Sequence, residues 1–387
     1  MPDIGIICEM NPIHNGHKYI IDQARSMGAE RVVCVMSGNT VQRGEFAIAD
    51  KYIRAEALLK CGADLVIELP FPWCSGSAEY FAKGGIEIAK NFCDFLLFGS
   101  ECGDLKALTK AATVSNTDMF RNEFRERLTE GVQAAYLFHE MIREKCGVEL
   151  SSNDLLGVEY IRAAMLLDAN IEFKTVTRQG DAYNAENITE NSFPSAKAIR
   201  MLWDKGEFDS TAALMPNEAY VIYEKAYKNN ALTDYCKFDS GWLSFFRLHD
   251  GNYFDGIAGT DGGIVNRICS SSRTAISYYE LLEQVRTKRY TDGHLRRVML
   301  YCLAGVTEDD LRTMPKEALL LAANEKGRAL LSQKRKNNGF RIVTKPADLD
   351  FSLRQNILAD RINSFFSLSQ KNGANAQTYL KRKPYIE

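Results

Sequence analysis

Ile4-Gly5-Ile6-Ile7-Cys8-Glu9-Met10-Asn11-Pro12-Ile13-His14-Asn15-Gly16-His17 opens the chain and decides how its first half folds. Ile4–Cys8 is continuously apolar rather than alternating, which predicts a strand buried on both faces of a parallel sheet. A loop follows, Glu9–Gly16, and then helical spacing of Tyr19, Ile20, Ala24 and Met27 over Gly16–Met27. The same unit recurs. Further strands are predicted at Arg31–Met36, Asp64–Leu69 and Asp94–Phe98, with helices at Asp50–Leu59 and Gly76–Phe92. This β-α-β alternation predicts an α/β fold, a Rossmann-like doubly wound parallel sheet. Right-handed crossovers place the strand C-termini on one edge, where ligands bind. The loops that matter are therefore Glu9–Gly16, Ser37–Glu45, Pro70–Ser77 and Gly99–Gly103.

Beyond these units, Leu105–Leu167 reads as mostly helical, with a break near Val148–Asn153. Ile171–Val176 reads as a fifth strand, Gln179–Ser192 as an aperiodic loop and Ser195–Trp203 as a helix. From about Asp209 onward only amphipathic helical pieces are recognised. The expected division is an α/β, ligand-binding domain over 1–208 and a mostly α-helical, partly basic domain over 209–387, the second a candidate for binding RNA.

Composition narrows the classes. The 387 residues are 45% hydrophobic and 25% charged, with a net charge of −2, which excludes gross disorder. No apolar run approaches the roughly 20 residues that span a bilayer. MPDIGIICEMNP has no basic lead and is not expected to be a signal peptide. The ten cysteines are scattered, with no CxxC pair and none at metal-ligand spacing from a histidine, as expected of reduced thiols in the cytoplasm. The near-zero charge hides a contrast, since residues 284–345 hold 14 Lys/Arg against 6 Asp/Glu.

The chemistry concentrates in His14-x-Gly16-His17, at the junction of the first strand and first helix. A glycine admits a phosphate close to the backbone. The helix N-terminus offers unpaired N–H groups and a positive dipole end. Two imidazoles three residues apart share one side of the first turn and can donate to a triphosphate as charge develops. Two of only five histidines fall on this edge, more than incidental surface placement requires. As a metal pair they lack a third ligand.

His14-x-Gly16-His17 after a buried strand resembles the HxGH signature of the nucleotidyltransferase superfamily. That family's second motif, ISSTxIR, is similar to Phe193-Pro194-Ser195-Ala196-Lys197-Ala198-Ile199-Arg200, which keeps Ser195, Ile199 and Arg200 but has Ala196 and Lys197 in place of hydroxyl residues. A closer resemblance adds Val35-Met36-Ser37-Gly38-Asn39, Gln42-Arg43-Gly44-Glu45, Asp64–Pro70, Phe98-Gly99-Ser100-Glu101 and Asn153-Asp154-Leu155-Leu156-Gly157, with Lys288-Arg289-Tyr290 further on. These blocks resemble the bacterial tRNA(Met) cytidine acetate ligase family, densely over the first 200 residues and more thinly beyond.

That resemblance implies activation of acetate by ATP to acetyl-adenylate, and acetyl transfer to N4 of the wobble cytidine of elongator tRNA(Met), without acetyl-CoA. It implies ATP contacts over Ile7–Ile20, a segment that includes Lys18 and Tyr19, and at Gly99, Asn153, Arg178, Ser195 and Arg200. His14 and His17 are expected to stabilise the α- and β-phosphates, with Lys18 a further candidate. Mg²⁺ is expected on the triphosphate, and the sequence names no protein ligand for it. Ser37, Asn39, Arg43, Lys51 and Arg54 are candidates for the acetate or cytidine pocket, or ordinary loop and helix polarity. Asn153 suits an N-cap as well as a ligand contact. Lys288, Arg289, Arg296 and Arg297 are candidate RNA contacts, with solvated helix faces as the alternative for each run. Two other functions stay open: a small-molecule adenylyltransferase of the same superfamily, making a pantetheine or pyridine nucleotide, and a non-catalytic RNA-binding protein.

Overall fold

The structure, a computed structural model, describes residues 1–128, 132–177, 195–287, 290–334, 339–369 and 375–387. In chain order the elements are β1 Asp3–Cys8, α1 Asn15–Ser26, β2 Arg31–Ser37, β3 Thr40–Val41, β4 Glu45–Phe46, α2 Lys51–Lys60, β5 Leu65–Leu69, α3 Ala78–Ala89 and β6 Phe95–Ser100. Four helices follow, α4 Leu105–Ser115, α5 Asp118–Arg127, α6 Ala134–Cys146 and α7 Ser152–Leu166, then β7 Glu172–Thr177 and α8 Ala196–Asp204. The remainder comprises α9 Asn217–Lys228, α10 Asp239–Arg247, α11 Ile264–Ser272, α12 Tyr278–Val285, α13 Asp292–Ala304, α14 Glu308–Arg312, β8 Glu317–Ala323, α15 Glu325–Lys334, β9 Arg341–Val343, α16 Arg354–Phe366 and β10 Tyr385–Ile386.

The main sheet runs β10-β8-β5-β2-β1-β6-β7, with β9 beside β8. β1, β2, β5, β6 and β7 are mutually parallel, as the buried apolar runs predicted. Alternate residues of each strand feed opposite cores. Ile7, Val33, Val35 and Ile67 join Phe81, Ile86 and Val158 of α3 and α7, while Ile4, Ile6, Cys34, Met36 and Val66 join Ile21, Leu58 and Ile199 on the other face. Gly85 lets α3 lie tight on β1, since a Cβ there would stand 2.7 Å from Ile7.

Two features depart from expectation. β8 is a strand, antiparallel to β5, where only helical pieces were expected beyond Asp209. Its sequence, Glu317-Ala318-Leu319-Leu320-Leu321-Ala322-Ala323, is a short apolar run whose period cannot separate a buried strand from a buried helix. The sheet therefore draws strands from both sides of residue 208. The second feature is a two-stranded hairpin, β3–β4, inside the loop expected after β2. Its Phe46 ring stacks on Phe238 at 4.6 Å and lies 5.7 Å from Phe365, so the hairpin plugs into an aromatic cluster of the C-terminal half.

The β6 end is tied to α7 by one buried carboxylate. Asp154 accepts from Ser100 Oγ at 2.5 Å, Glu101 N at 3.0 Å, Cys102 N at 3.3 Å and Ser151 N at 3.1 Å. Burial works against its charge, but the hydrogen bonds from Ser100 and Ser151 outweigh it and hold the carboxyl below its ordinary value. The ionised form is thus the stabilising one. Its contribution is complete above the unfolded value of about 3.9 and is lost as pH falls through the lower native value. Asp154→Ala should lower the unfolding free energy by about 2 kcal/mol at neutral pH in urea denaturation. The gap to wild type should close below a pH of about 4; a gap that widens on acidification contradicts this account.

Candidate active site

The loop after β1 delivers both histidines to the start of α1. His14 is the N-cap, and its Nδ1 accepts the Gly16 N–H at 3.1 Å. His17 stands three residues on, and its Nδ1 accepts the His14 N–H at 3.1 Å. The two rings lie 3.8 Å apart between centroids, tilted by 35°. Each neutral ring that accepts at Nδ1 carries its proton on Nε2. The reciprocal cap therefore sets both imidazoles as Nε2–H donors, and both line the same cleft. α1 has no acidic residue in its first turn, so no side-chain anion of its own offsets the dipole there.

The cleft, about 220 Å³, lies along the C-terminal edge of the sheet. One wall comprises Gly99 and Phe98 of β6, Ser152, Asn153, Leu156 and Tyr160 of α7, and Val176 of β7. The hairpin lines the cleft through Val41, Gln42, Arg43 and Glu45. Ser195, Ala196 and Arg200 of the α8 start close a third side. Ser195 caps α8, accepting the Ala198 N–H at 3.1 Å. Arg200 donates to the Asn11 carbonyl at 2.6 Å and pairs with Glu45 at 3.6 Å. Glu9 receives the Gln42 N–H at 2.7 Å. Burial pushes its carboxyl up, against that hydrogen bond and the charges of Arg43 and Arg200.

Of the sequence-derived candidates, Ile7, Cys8, Glu9, Met10, Asn11, His14, Gly16, His17, Tyr19, Ile20, Gly99, Asn153, Ser195 and Arg200 line this one cleft. Pro12, Ile13, Asn15 and Lys18 are not among its lining residues. Ile13 is buried in the core, and Asn15 donates to Ala213 O at 2.9 Å. Lys18 pairs with Asp22 one turn along α1. Arg178 falls outside the described residues, as do Phe193, Pro194, Lys288 and Arg289. Asn153 is not the N-cap of α7. Ser151 is, in a capping box with Asp154, because its hydroxyl reaches the Asp154 N–H at 3.3 Å.

Of the acetate-pocket candidates, Arg43 lines the cleft, while four serve the interior. Lys51 forms a buried pair with Glu68 at 2.6 Å, and Arg54 donates to backbone carbonyls. Asn39 bonds Asn363 at 2.9 Å, and Ser37 is fully buried. The candidate RNA contacts on α13 are also engaged: Arg296 pairs with Glu45, and Arg297 donates to Gln42 O at 3.4 Å. Sequence reasoning missed Glu45 and Gln42 as parts of the cleft. Their only signal was membership of the Gln42–Glu45 block on the ligand edge.

The profile of the HIGH Nucleotidyl Transferase family matches residues 1–378. The chain is 35% identical over 370 residues to the tRNA(Met) cytidine acetate ligase of Acetivibrio thermocellus, covering 90% of this chain and 89% of that protein. This chain belongs to the tRNA(Met) cytidine acetate ligase family. The family's Thermotoga maritima protein is 31% identical over 393 residues, covering 93% of this chain and 94% of its own. The crystal structure of T. maritima TmcAL bound with alpha-thio ATP matches with a TM-score of 0.87 at 27% identity, covering 100% of both chains. The apo form matches at 0.91 and 28%, covering 100% of this chain and 99% of that one. The doubly wound nucleotidyltransferase fold expected from the opening stretch is thereby the fold of the family.

The capping geometry has a direct stability test. His14→Ala removes the cap acceptor and should cost about 1 kcal/mol in urea denaturation, while His14→Asn should recover most of it. An equal loss in both variants contradicts the capping role.

Proposed function

We propose that this protein is an ATP-dependent acetate ligase that acetylates N4 of the wobble cytidine of elongator tRNA(Met). The observation that carries the reading is the likeness, over the full length of both chains, to a family structure bound with alpha-thio ATP. The cleft's residues suit that ligand. The Gly99–Asn153 wall, backed by Phe98, Leu156 and Tyr160, takes the adenosine. The α1 N-terminus and the His14 and His17 Nε2–H groups take the α- and β-phosphates, and Arg200 with the Ser195 end of α8 takes the outer phosphates. Lys18 is left out of this arrangement because it is not among the residues that line the cleft.

Acetate is ionised at neutral pH and needs no general base. Its oxygen attacks the α-phosphorus, a new P–O bond forms, and the bond to the β-phosphate bridging oxygen breaks. Pyrophosphate leaves with that electron pair. The imidazole N–H groups hold the charge that grows on the phosphate oxygens. Cytidine N4 then attacks the acetyl carbon, AMP departs, and N4 loses a proton. The wobble base is single-stranded and reaches a pocket without melting a duplex. The basic stretch 284–345 supports an RNA partner. Among the described residues, no group of three His, Cys, Asp or Glu side chains is placed to hold a metal ion. In this reading Mg²⁺ comes with the triphosphate substrate. No helix among the described residues is long and apolar enough to cross a membrane, and we place the enzyme with its tRNA in the cytoplasm.

Incubation with ATP, labelled acetate and total tRNA tests the reading. Label should enter one tRNA species at its wobble cytidine, and His14→Ala/His17→Ala should reduce the rate by at least about 100-fold. Pyrophosphate exchange that requires a phosphorylated small-molecule acceptor instead of acetate would contradict it.

A further inference from the structure

The hairpin wall of the cleft is held from outside by α13. Gly44, at φ +76°, presses on that helix so closely that a Cβ would stand 2.6 Å from Arg297 N and 2.8 Å from Arg296 Cβ. Beside this contact, Arg296 hydrogen-bonds and pairs with Glu45. The other Glu45 oxygen lies 3.6 Å from Arg200, which donates to the carbonyl of Asn11 at 2.6 Å. Asn11 belongs to the loop that presents His14, and its own side chain accepts the Ile48 N–H at 2.7 Å. The result is one chain of charge: Arg296, Glu45, Arg200, then the histidine loop. Its members are only 24%, 25% and 13% exposed, so water screens the pairs less than it would on an open surface.

A guanidinium committed to a partly buried carboxylate is poorly placed to neutralise an RNA phosphate. Taking it away leaves Glu45, among the described residues, with Arg200 as its remaining ion-pair partner. Without that anchor the carboxylate no longer holds Arg200 in place against the Asn11 carbonyl and the cleft it lines. We infer that Arg296 is a positioning residue of the ATP cleft, acting through Glu45 on Arg200, and not an RNA contact. This rests on the ATP part of the proposed function and on neither its acetate nor its tRNA part.

The test is calorimetric titration of the full chain with ATP, without RNA, alongside tRNA binding by filter retention. Arg296→Ala and Glu45→Gln should each weaken ATP binding by about fivefold to tenfold, with tRNA affinity unchanged. The double variant should bind ATP no more weakly than Glu45→Gln alone, because both changes break one chain. Arg296→Lys keeps the charge and should stay within about twofold of wild type. A purely structural role would lower the unfolding midpoint without this non-additivity. The inference is overturned if Arg296→Ala binds ATP like wild type while tRNA binding falls, if the two single effects multiply, or if Arg296→Lys loses as much as Arg296→Ala. Wild-type protein that binds ATP but fails to acetylate tRNA would sink the acetyl-transfer reading and leave this one standing.

Discussion

The buried guanidinium of Arg54 is the constraint on which the active edge depends. It is 0% exposed and surrounded by backbone carbonyls. It donates to Ala49 O at 3.0 Å, Glu9 O at 2.6 Å and Ser37 O at 3.1 Å, and also to Gly38 O. Those oxygens replace the water that a buried cation would otherwise lack. They come from the loops after β1 and β2 and from the entry to α2. One side chain thus draws together the two loops that bracket the cleft. One turn before Arg54 in α2, Lys51 forms a buried pair with Glu68 of β5. Met10, held at φ +52°, shows that the first loop takes a conformation costly for a non-glycine residue.

With the loop fixed, backbone chemistry sets the side chains. Two of the N–H groups at the start of α1, those of His14 and Gly16, are given to imidazole Nδ1 atoms rather than to a serine or aspartate. This has a chemical consequence that a hydroxyl or carboxylate cap would not have. A capping aspartate would bring negative charge to the place where the proposed function puts phosphates. A capping imidazole satisfies the helix and keeps a second nitrogen as a donor. In the proposed function, stability of the helix and stabilisation of phosphate charge come from the same two rings.

Much of this was legible in the chain. Four continuous apolar strands, each followed by a loop and a helix, carried the sheet and named its active edge. HxGH at the first junction marked residues that line the cleft. Local patterns could not show partners far apart in sequence. Arg296 read as a basic surface residue because nothing near it reveals Glu45, 251 residues away. Arg54 and Lys51 read as possible pocket lining because a charged residue rarely signals full burial. β8 escaped because a seven-residue apolar run fits either element, and Ser151 lost the cap to Asn153 because both residue types suit it.

The central claim is that backbone capping fixes both imidazoles as Nε2–H donors into the cleft. Nitrogen-15 NMR of histidine-labelled protein at a pH of about 8, where imidazoles are neutral, measures this directly. Both His14 and His17 should show a protonated Nε2 and an unprotonated, hydrogen-bonded Nδ1. A proton on Nδ1 of either ring would contradict the account.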